Sequence, residues 1–119
     1  MSDKMKILII DDEQDLCILL KDYFDRKNYH VFISNSLADG KQQLVNIRPE
    51  VLFLDNNLPD GVGWDSAVEI ASAFPGTFIV LISAFHPQIP HMPHAARFTV
   101  IEKPFTLHDL DRKLEFMNN

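Results

Sequence analysis

Five polar residues of this 119-residue chain follow or end short apolar runs, and they are of the types that bind metals and phosphate. They are three acids, an alcohol and an amine: Asp11, Asp12, Asp55, Ser83 and Lys103. The apolar runs before them cover residues 6–10, 51–54, 77–82 and 98–101. If each run is a strand of one parallel sheet, all five side chains lie at the sheet edge where open α/β folds bind ligands.

The chemistry available to such a group follows from its charges. Three close carboxylates repel one another, and their pKa values rise unless a cation lies between them. Mg²⁺ suits such oxygen ligands and also binds phosphoryl oxygens, which bare carboxylates would repel. An aspartate can attack phosphorus to form an acyl phosphate. The hydroxyl of Ser83 and the ammonium of Lys103 could bind the remaining phosphoryl oxygens. The five residues therefore predict a phosphorylatable aspartate with a magnesium site.

The elements that position these residues alternate between strand and helix. Strands are predicted at residues 6–10, 30–34, 51–54, 77–82 and 98–101. Apolar residues recurring every three or four positions predict helices over about 13–27, 36–47 and 64–74, and from 106 onward. Ser36 with Asp39, and Thr106 with Asp109, have the spacing of helix capping boxes. This order predicts an α/β fold, a parallel sheet with helices on both faces.

The stretch "HPQIPHMPH" (86–94) interrupts that alternation where a fourth helix is expected. Its prolines, at positions 87, 90 and 93, each remove a backbone donor and restrict the preceding residue. We therefore expect a shortened or irregular fourth helix, at most a helical turn within about 91–97. The histidines His86, His91 and His94 favour a surface loop over a zinc site, because no acid or cysteine lies among them.

The composition indicates a single soluble cytoplasmic domain spanning residues 1–119. Its hydrophobic content of 46% and charged content of 24% suit one globular core. A net charge of −6 argues against direct nucleic acid binding. No apolar run approaches the roughly 20 residues that span a bilayer, and "MSDKMK" lacks a secretory signal. The single cysteine, Cys17, excludes an internal disulfide and agrees with a reducing compartment.

Four short motifs, each at a predicted strand end, carry a family resemblance. They are "DDE" after the first strand, "DNNLP" with Gly63 eight residues beyond Asp55, "SA" after the fourth strand and "KPF" after the fifth. In this order they resemble the receiver (REC) domain of two-component response regulators over essentially the whole chain. The resemblance implies a flavodoxin-like, doubly wound sheet of strand order 2-1-3-4-5 flanked by five helices.

The same resemblance implies roles for the acidic residues. Asp55 would be the phosphoacceptor. Asp12, Asp55 and the backbone carbonyl of Asn57 would bind Mg²⁺, and Asp11 would act through the water shell of the metal. These assignments define the metal site as Asp11, Asp12, Asp55 and Asn57.

The resemblance also implies how the phosphoryl group is bound and exchanged. Ser83 and Lys103 would contact it, and the peptide bond between Lys103 and Pro104 would be cis. The donor would be a phosphohistidine on a sensor histidine kinase or a histidine phosphotransfer protein. The domain would control an output domain or downstream protein, with a phosphorylation-dependent homodimer as one form. It would not be an enzyme beyond gaining and slowly losing its own phosphoryl group.

One position departs from the family pattern. Three residues before the lysine, where receivers usually carry an aromatic switch residue, this chain has Val100, with Phe98 two residues earlier. Our hypothesis is that phosphorylation draws Ser83 inward and reorders residues 84–97, so that the surface formed by residues 84–105 changes partner.

Three alternatives remain open from the sequence. A receiver-like protein-interaction module would work without phosphorylation. A phosphatase of the haloacid-dehalogenase type would need D-x-D-x-T after the first strand, where the chain has "DDEQD". A flavodoxin-like flavin carrier would need a Ser/Thr/Gly loop there, and the acid pair would repel its phosphate.

Overall fold

A computed structural model describes residues 4–84 and 88–115. Five parallel strands form its main sheet: β1 (Lys6–Ile10), β2 (His30–Ser34), β3 (Val51–Asp55), β6 (Phe78–Ser83) and β7 (Phe98–Glu102). Two further strands, β4 (Asn57–Leu58) and β5 (Gly61–Val62), form a small antiparallel hairpin directly after β3. The main sheet has the order β2-β1-β3-β6-β7, which is the predicted 2-1-3-4-5 arrangement. The predicted fold class is confirmed.

The helices flank the sheet and begin close to the predicted positions. They are α1 (Gln14–Arg26), α2 (Leu37–Ile47), a 3₁₀ turn (Gly63–Ser66) leading into α3 (Ala67–Ala73), and α4 (Leu107–Lys113). The described residues thus contain four α-helices where the family resemblance implied five.

The missing helix belongs to the proline-rich stretch. Residues 88–97 form no helix, and one backbone hydrogen bond, from Ala96 N to Pro93 O at 2.9 Å, makes a single turn. Since proline lacks an N–H and restricts the residue before it, Pro90 and Pro93 explain this outcome. The expected shortening is confirmed. His86 and Pro87 lie outside the described residues, as does Met117 at the end of the last predicted helix.

The core has two layers, one on each face of the sheet. Ile7 and Ile9 point into the layer under α1 and α4, whereas Leu8 and Ile10 point into the layer under α2 and α3. All four side chains are fully buried. Alternate residues of a strand face opposite sides, and both sides are covered here, so the central strands are apolar except at their ends.

Helix caps follow the sequence at one site and depart from it at another. Thr106 and Asp109 form the predicted reciprocal capping box at the start of α4. At α2, the Ser36 hydroxyl accepts from Asp39 N at 3.2 Å, but the Asp39 carboxylate accepts from the Ser34 hydroxyl at 2.7 Å. The box predicted at Ser36 is therefore only half formed, because a buried serine on β2 offers Asp39 a better donor.

A distant residue completes the cap of α2. Both carboxylate oxygens of Asp60, in the hairpin after β3, accept backbone hydrogen bonds: from Leu37 N at 2.7 Å and from Ala38 N at 2.9 Å. These two bonds lower the pKa of Asp60 below its ordinary value. Because a negative charge at a helix N-terminus is favourable, Asp60 ties the hairpin to α2.

Substitution of Asp60 should open this end of α2. We expect Asp60→Ala to accelerate amide exchange at Leu37 and Ala38 by at least about fivefold, since both N–H groups lose their acceptor. Asp60→Asn keeps one acceptor oxygen and should expose mainly one of the two amides. Hydrogen-exchange NMR measures this directly, and unchanged exchange at both amides in Asp60→Ala would contradict the cap.

Candidate functional site

The strand register brings the predicted site residues to one edge of the sheet. Asp55, the last residue of β3, pairs with Ile82 of β6, so Ser83 lies one residue further along the neighbouring strand. Ser83 in turn pairs with Glu102, and Lys103 N donates to Ser83 O at 2.8 Å. The peptide bond that follows, Lys103-Pro104, is cis as predicted.

Three carboxylates converge at this edge. Asp11, Asp12 and Asp55 each place an oxygen within 4.8 Å of the others. Asp11 and Asp55 are 0% and 2% exposed, whereas Asp12 faces solvent. One oxygen of Asp11 accepts from Glu13 N at 2.8 Å, and the other, Oδ2, is buried without a hydrogen bond. A buried carboxylate oxygen that accepts no hydrogen bond is a suitable ligand for a hard divalent cation or its bound water.

The Lys103 ammonium lies among these acids. Its Nζ is 3.1 Å from Asp11 Oδ2 and 3.5 Å from Asp55 Oδ1. The Asp11 contact is an ion pair by distance, without the geometry of a hydrogen bond. The shortest contact is with Glu13 Oε1, at 2.7 Å. No role was predicted for Glu13 from the sequence, although this residue belongs to the "DDE" motif. Lys103 is 90 positions away in the chain, so no local sequence pattern indicated the contact.

Burial dominates the electrostatics of the two inner acids. It raises the pKa of Asp11, against the opposing effects of the Glu13 N–H and Lys103. It raises the pKa of Asp55 to about 6, with a further contribution from the Asp11 charge. Burial alone would lower the pKa of Lys103, but its hydrogen bond to Glu13 and its attraction to the Asp11 and Asp55 charges outweigh burial, so that the pKa rises. Lys103 is therefore a permanent cation in the site.

Cys17 borders the acids without joining their chemistry. Its thiol is buried and donates to the backbone oxygen of Asp11 at 3.4 Å. Burial, together with the Asp11 charge, raises the thiol pKa to about 12. A thiol that does not ionise is a poor nucleophile and a poor metal ligand, which agrees with the packing role expected from the sequence.

The loop after Asp55 is held by a short hydrogen-bond network. Asn56 accepts from Gly63 N at its backbone oxygen, at 2.9 Å, and from Trp64 N at its side-chain oxygen, at 3.2 Å. The Trp64 indole donates to Leu54 O at 3.2 Å. Asn57, the predicted carbonyl ligand, begins the hairpin next to this network. Leu54 and Asn56, the residues on both sides of Asp55, are therefore tied by hydrogen bonds to the 3₁₀ turn.

The other candidates do not enter this cluster. His91 and His94 are exposed on the connector, and His86 lies outside the described residues. Val100 is partly buried and packs with Met92 and Ala96 against the α2–α3 layer, whereas Phe98 is 36% exposed. No helix within the described ranges 4–84 and 88–115 is long and apolar enough to cross a membrane.

The fold and site define a class: a doubly wound α/β domain with three acids and a lysine at the carboxyl edge of its sheet. Residues 7–115 match the family described as the response regulator receiver domain. The chain belongs to this family of receiver domains from two-component response regulators.

Curated relatives are regulatory proteins, and this chain spans less than half the length of each. The transcriptional regulatory protein YxdJ of Bacillus subtilis is 29% identical over 103 residues, which cover 85% of this chain and 44% of the relative. The regulatory protein AtoC of Escherichia coli is 26% identical over 109 residues, covering 89% and 23%.

Solved structures share the fold at low identity. A two-component response regulator from Clostridium difficile matches with a TM-score of 0.84 and 23% identity, covering 97% of this chain and 96% of that one. TrrA of Thermotoga maritima, solved with Mg²⁺ and BeF, matches with a TM-score of 0.80 and 23% identity, covering 95% and 98%. TrrA solved with the histidine kinase ThkA matches with a TM-score of 0.78 and 22% identity, covering 97% and 99%.

Proposed function

We propose that residues 1–119 form one receiver domain that accepts a phosphoryl group on Asp55 and transmits its presence to an output domain or partner protein. The donor is a phosphohistidine on a sensor histidine kinase or a histidine phosphotransfer protein. One observation carries the proposal: a buried carboxylate at the end of the central strand lies 3.5 Å from a permanent ammonium and within 4.8 Å of two further acids. A loop cap would need none of these companions.

The donor set suits magnesium. Asp12, Asp55 and the backbone carbonyl of Asn57 would hold the ion, and Asp11 would bind one of its waters. The buried Asp11 Oδ2, which has no hydrogen bond, supports this assignment. Bound Mg²⁺ would neutralise the carboxylates and the incoming phosphoryl oxygens.

The chain's own residues then carry the transfer. An Asp55 oxygen forms a bond to phosphorus as the bond from phosphorus to the donor breaks, and the electron pair leaves with the donor. The Lys103 ammonium and the Ser83 hydroxyl donate hydrogen bonds to phosphoryl oxygens and stay protonated. The domain acts only on itself in this scheme, gaining the phosphoryl group and later losing it to water.

The output surface consists of residues 84–105 in this proposal, of which 85–87 lie outside the described residues. When the Ser83 hydroxyl moves toward the phosphoryl group, residues 84–97 rearrange, and a changed surface binds an output domain, a partner or a second copy. Val100 on β7 and Met92 and Ala96 on the connector all pack against the same core layer, which supports this route, because a change in that layer could reach both segments. The greater length of the curated relatives is consistent with an attached output domain.

Acetyl phosphate tests the proposal directly. After incubation with Mg²⁺, the wild-type domain should gain one phosphoryl group, about 80 Da by intact mass, and Asp55→Asn should gain none. Asp65→Asn, which removes an exposed acid on the 3₁₀ turn, should be labelled like the wild type.

The opposite results are equally informative. Equal labelling of Asp55→Asn would place the acceptor elsewhere and refute the assignment. A wild-type domain that binds Mg²⁺ but is never labelled, by acetyl phosphate or by phosphohistidine donors, would instead favour an interaction module that works without phosphorylation.

A further inference from the structure

Lys103 has a third carboxylate partner that lies outside the proposed metal site. Its Nζ is 2.7 Å from Glu13 Oε1, closer than it is to Asp11 or Asp55. The Lys103 side chain is 13% exposed and that of Glu13 58% exposed. The Lys103 ammonium is therefore bound, on the side that faces solvent, by an acid whose side chain can move away into water.

Helix α1 does not require a glutamate at this position. Glu13 is the N-cap residue of α1, and its side chain makes no capping hydrogen bond. Glutamate is not among the residues that favour N-caps, which are serine, threonine, aspartate, asparagine and glycine. The one hydrogen bond that the Glu13 carboxylate makes to the described part of the chain is with Lys103. A departure from local preference that serves a distant polar group indicates a role in the site.

We propose that Glu13 is a positioning residue that competes with the phosphoryl group for the Lys103 ammonium, and so weakens the domain's affinity for phosphoryl donors. The proposal rests on the proposed function, since it assumes transfer to Asp55. An ammonium has three N–H groups, and here three carboxylates surround it. A phosphoryl oxygen that binds Lys103 must displace one of them.

Glu13 is the partner that leaves. Asp11 and Asp55 are fixed in the buried strand ends, whereas the Glu13 side chain is largely solvated. Its negative charge beside Lys103 also repels a dianionic donor until the Glu13 side chain moves away. A donor must therefore overcome an existing ion pair before Lys103 can bind its oxygens.

Asp15 provides a matched control. It lies on the same turn of α1, and both acids line one open groove of about 580 Å³ together with Lys103, Leu16 and Pro104. Asp15 is exposed and forms no ion pair with the residues that the structure describes. Asp15→Asn thus removes the same unit of charge from the same groove without touching Lys103.

The test compares Glu13→Gln with Asp15→Asn in initial rates of phosphorylation, measured against acetyl phosphate concentration at saturating Mg²⁺. In Glu13→Gln we expect the half-saturating concentration to fall about three- to tenfold, with the maximal rate changed less than about twofold. Asp15→Asn should keep the wild-type half-saturating concentration. No fall in Glu13→Gln, or an equal fall in both variants, would overturn the proposal.

A measurement without donor or metal separates this proposal from the function it assumes. The ¹⁵N signal of the Lys103 ammonium, assigned by its loss in Lys103→Arg, should shift in Glu13→Gln and stay in place in Asp15→Asn. An unmoved signal in Glu13→Gln would overturn the competition by itself. If the signal shifts but neither acetyl phosphate nor a phosphohistidine donor labels either protein, the failure lies in phosphorylation of Asp55, and both proposals fall with it.

Discussion

Asp55→Asn should raise the free energy of unfolding of the metal-free domain at pH 7.5, by up to about 3 kcal/mol. The native carboxylate is 2% exposed and lies beside the Asp11 charge, and Lys103 compensates only in part. Asparagine has nearly the same shape and no charge, so it removes the cost of keeping an ion in this place. The residue proposed to carry the function is thus expected to reduce stability.

The dependence on pH follows from the direction of the shift. Asp55 has a pKa of about 6 in the fold, against an ordinary value of 3.8. Between these values the folded domain holds a proton that the unfolded chain has released, so stability falls as pH rises. The contribution of the Asp55 proton is fully present below about pH 4 and is lost above about pH 6. The advantage of Asp55→Asn should therefore be small at pH 4.5 and full at pH 7.5.

Urea unfolding in EDTA at pH 4.5, 6.0 and 7.5 measures this difference, with the fluorescence of Trp64, the chain's single tryptophan, as the signal. Asp65→Asn is the control, because it removes an exposed acid close to the same tryptophan. Its stability difference from the wild type should be small and nearly independent of pH. An Asp55→Asn domain that is less stable than the wild type at pH 7.5 would contradict the buried-charge argument.

Gly63→Ala should destabilise the domain by more than about 3 kcal/mol or prevent folding. A Cβ at position 63 would lie 2.0 Å from the backbone oxygen of Asp55 and 3.1 Å from its backbone carbon. These atoms belong to the end of the central strand, so they cannot move aside as a flexible side chain could. Any movement of β3 that relieved this steric clash would displace Asp55 itself.

Gly76→Ala is the matched control for this substitution. Nothing lies within 4 Å of a Cβ at position 76, and no described glycine has a positive φ. We expect a change within about 1 kcal/mol, in the stabilising direction, because alanine lowers the conformational entropy of the unfolded chain. Urea unfolding of both variants gives the comparison. Equal midpoints would show that the 3₁₀ turn can move away from β3 at little cost.

Much of this fold was predictable because its information is local. The apolar runs at residues 6–10 and 30–34 became β1 and β2 with unchanged bounds. β3 extends one residue further than predicted, because Asp55 still pairs with Ile82. Once the strands are parallel, their carboxyl ends share an edge, so the convergence of Asp11, Asp12, Asp55 and Lys103 follows without any coordinates.

The contacts that were missed join residues far apart in the chain. Glu13 reaches Lys103 across 90 positions, and Asp60 reaches Leu37 across 23. Neither pair has a periodic or capping signature, because each depends on how two loops approach at the sheet edge. The Asp39 carboxylate was assigned to Ser36 by its spacing, yet it bonds to Ser34. Ser34 and Ser36 are five and three positions from Asp39, and spacing alone does not show which of the two the carboxylate will bond to.

The connector of residues 88–97 forms few backbone hydrogen bonds. Ala96 N donates to Pro93 O, and Arg97 O accepts from Ile79 N. Pro90 and Pro93 restrict the chain covalently instead, since each ring fixes one backbone dihedral. Most amides in this stretch should consequently exchange quickly, although the proline rings restrict its backbone, because exchange reports hydrogen bonding and not conformational range. Distances between spin labels at the two ends of the connector would measure the range of conformations that it adopts.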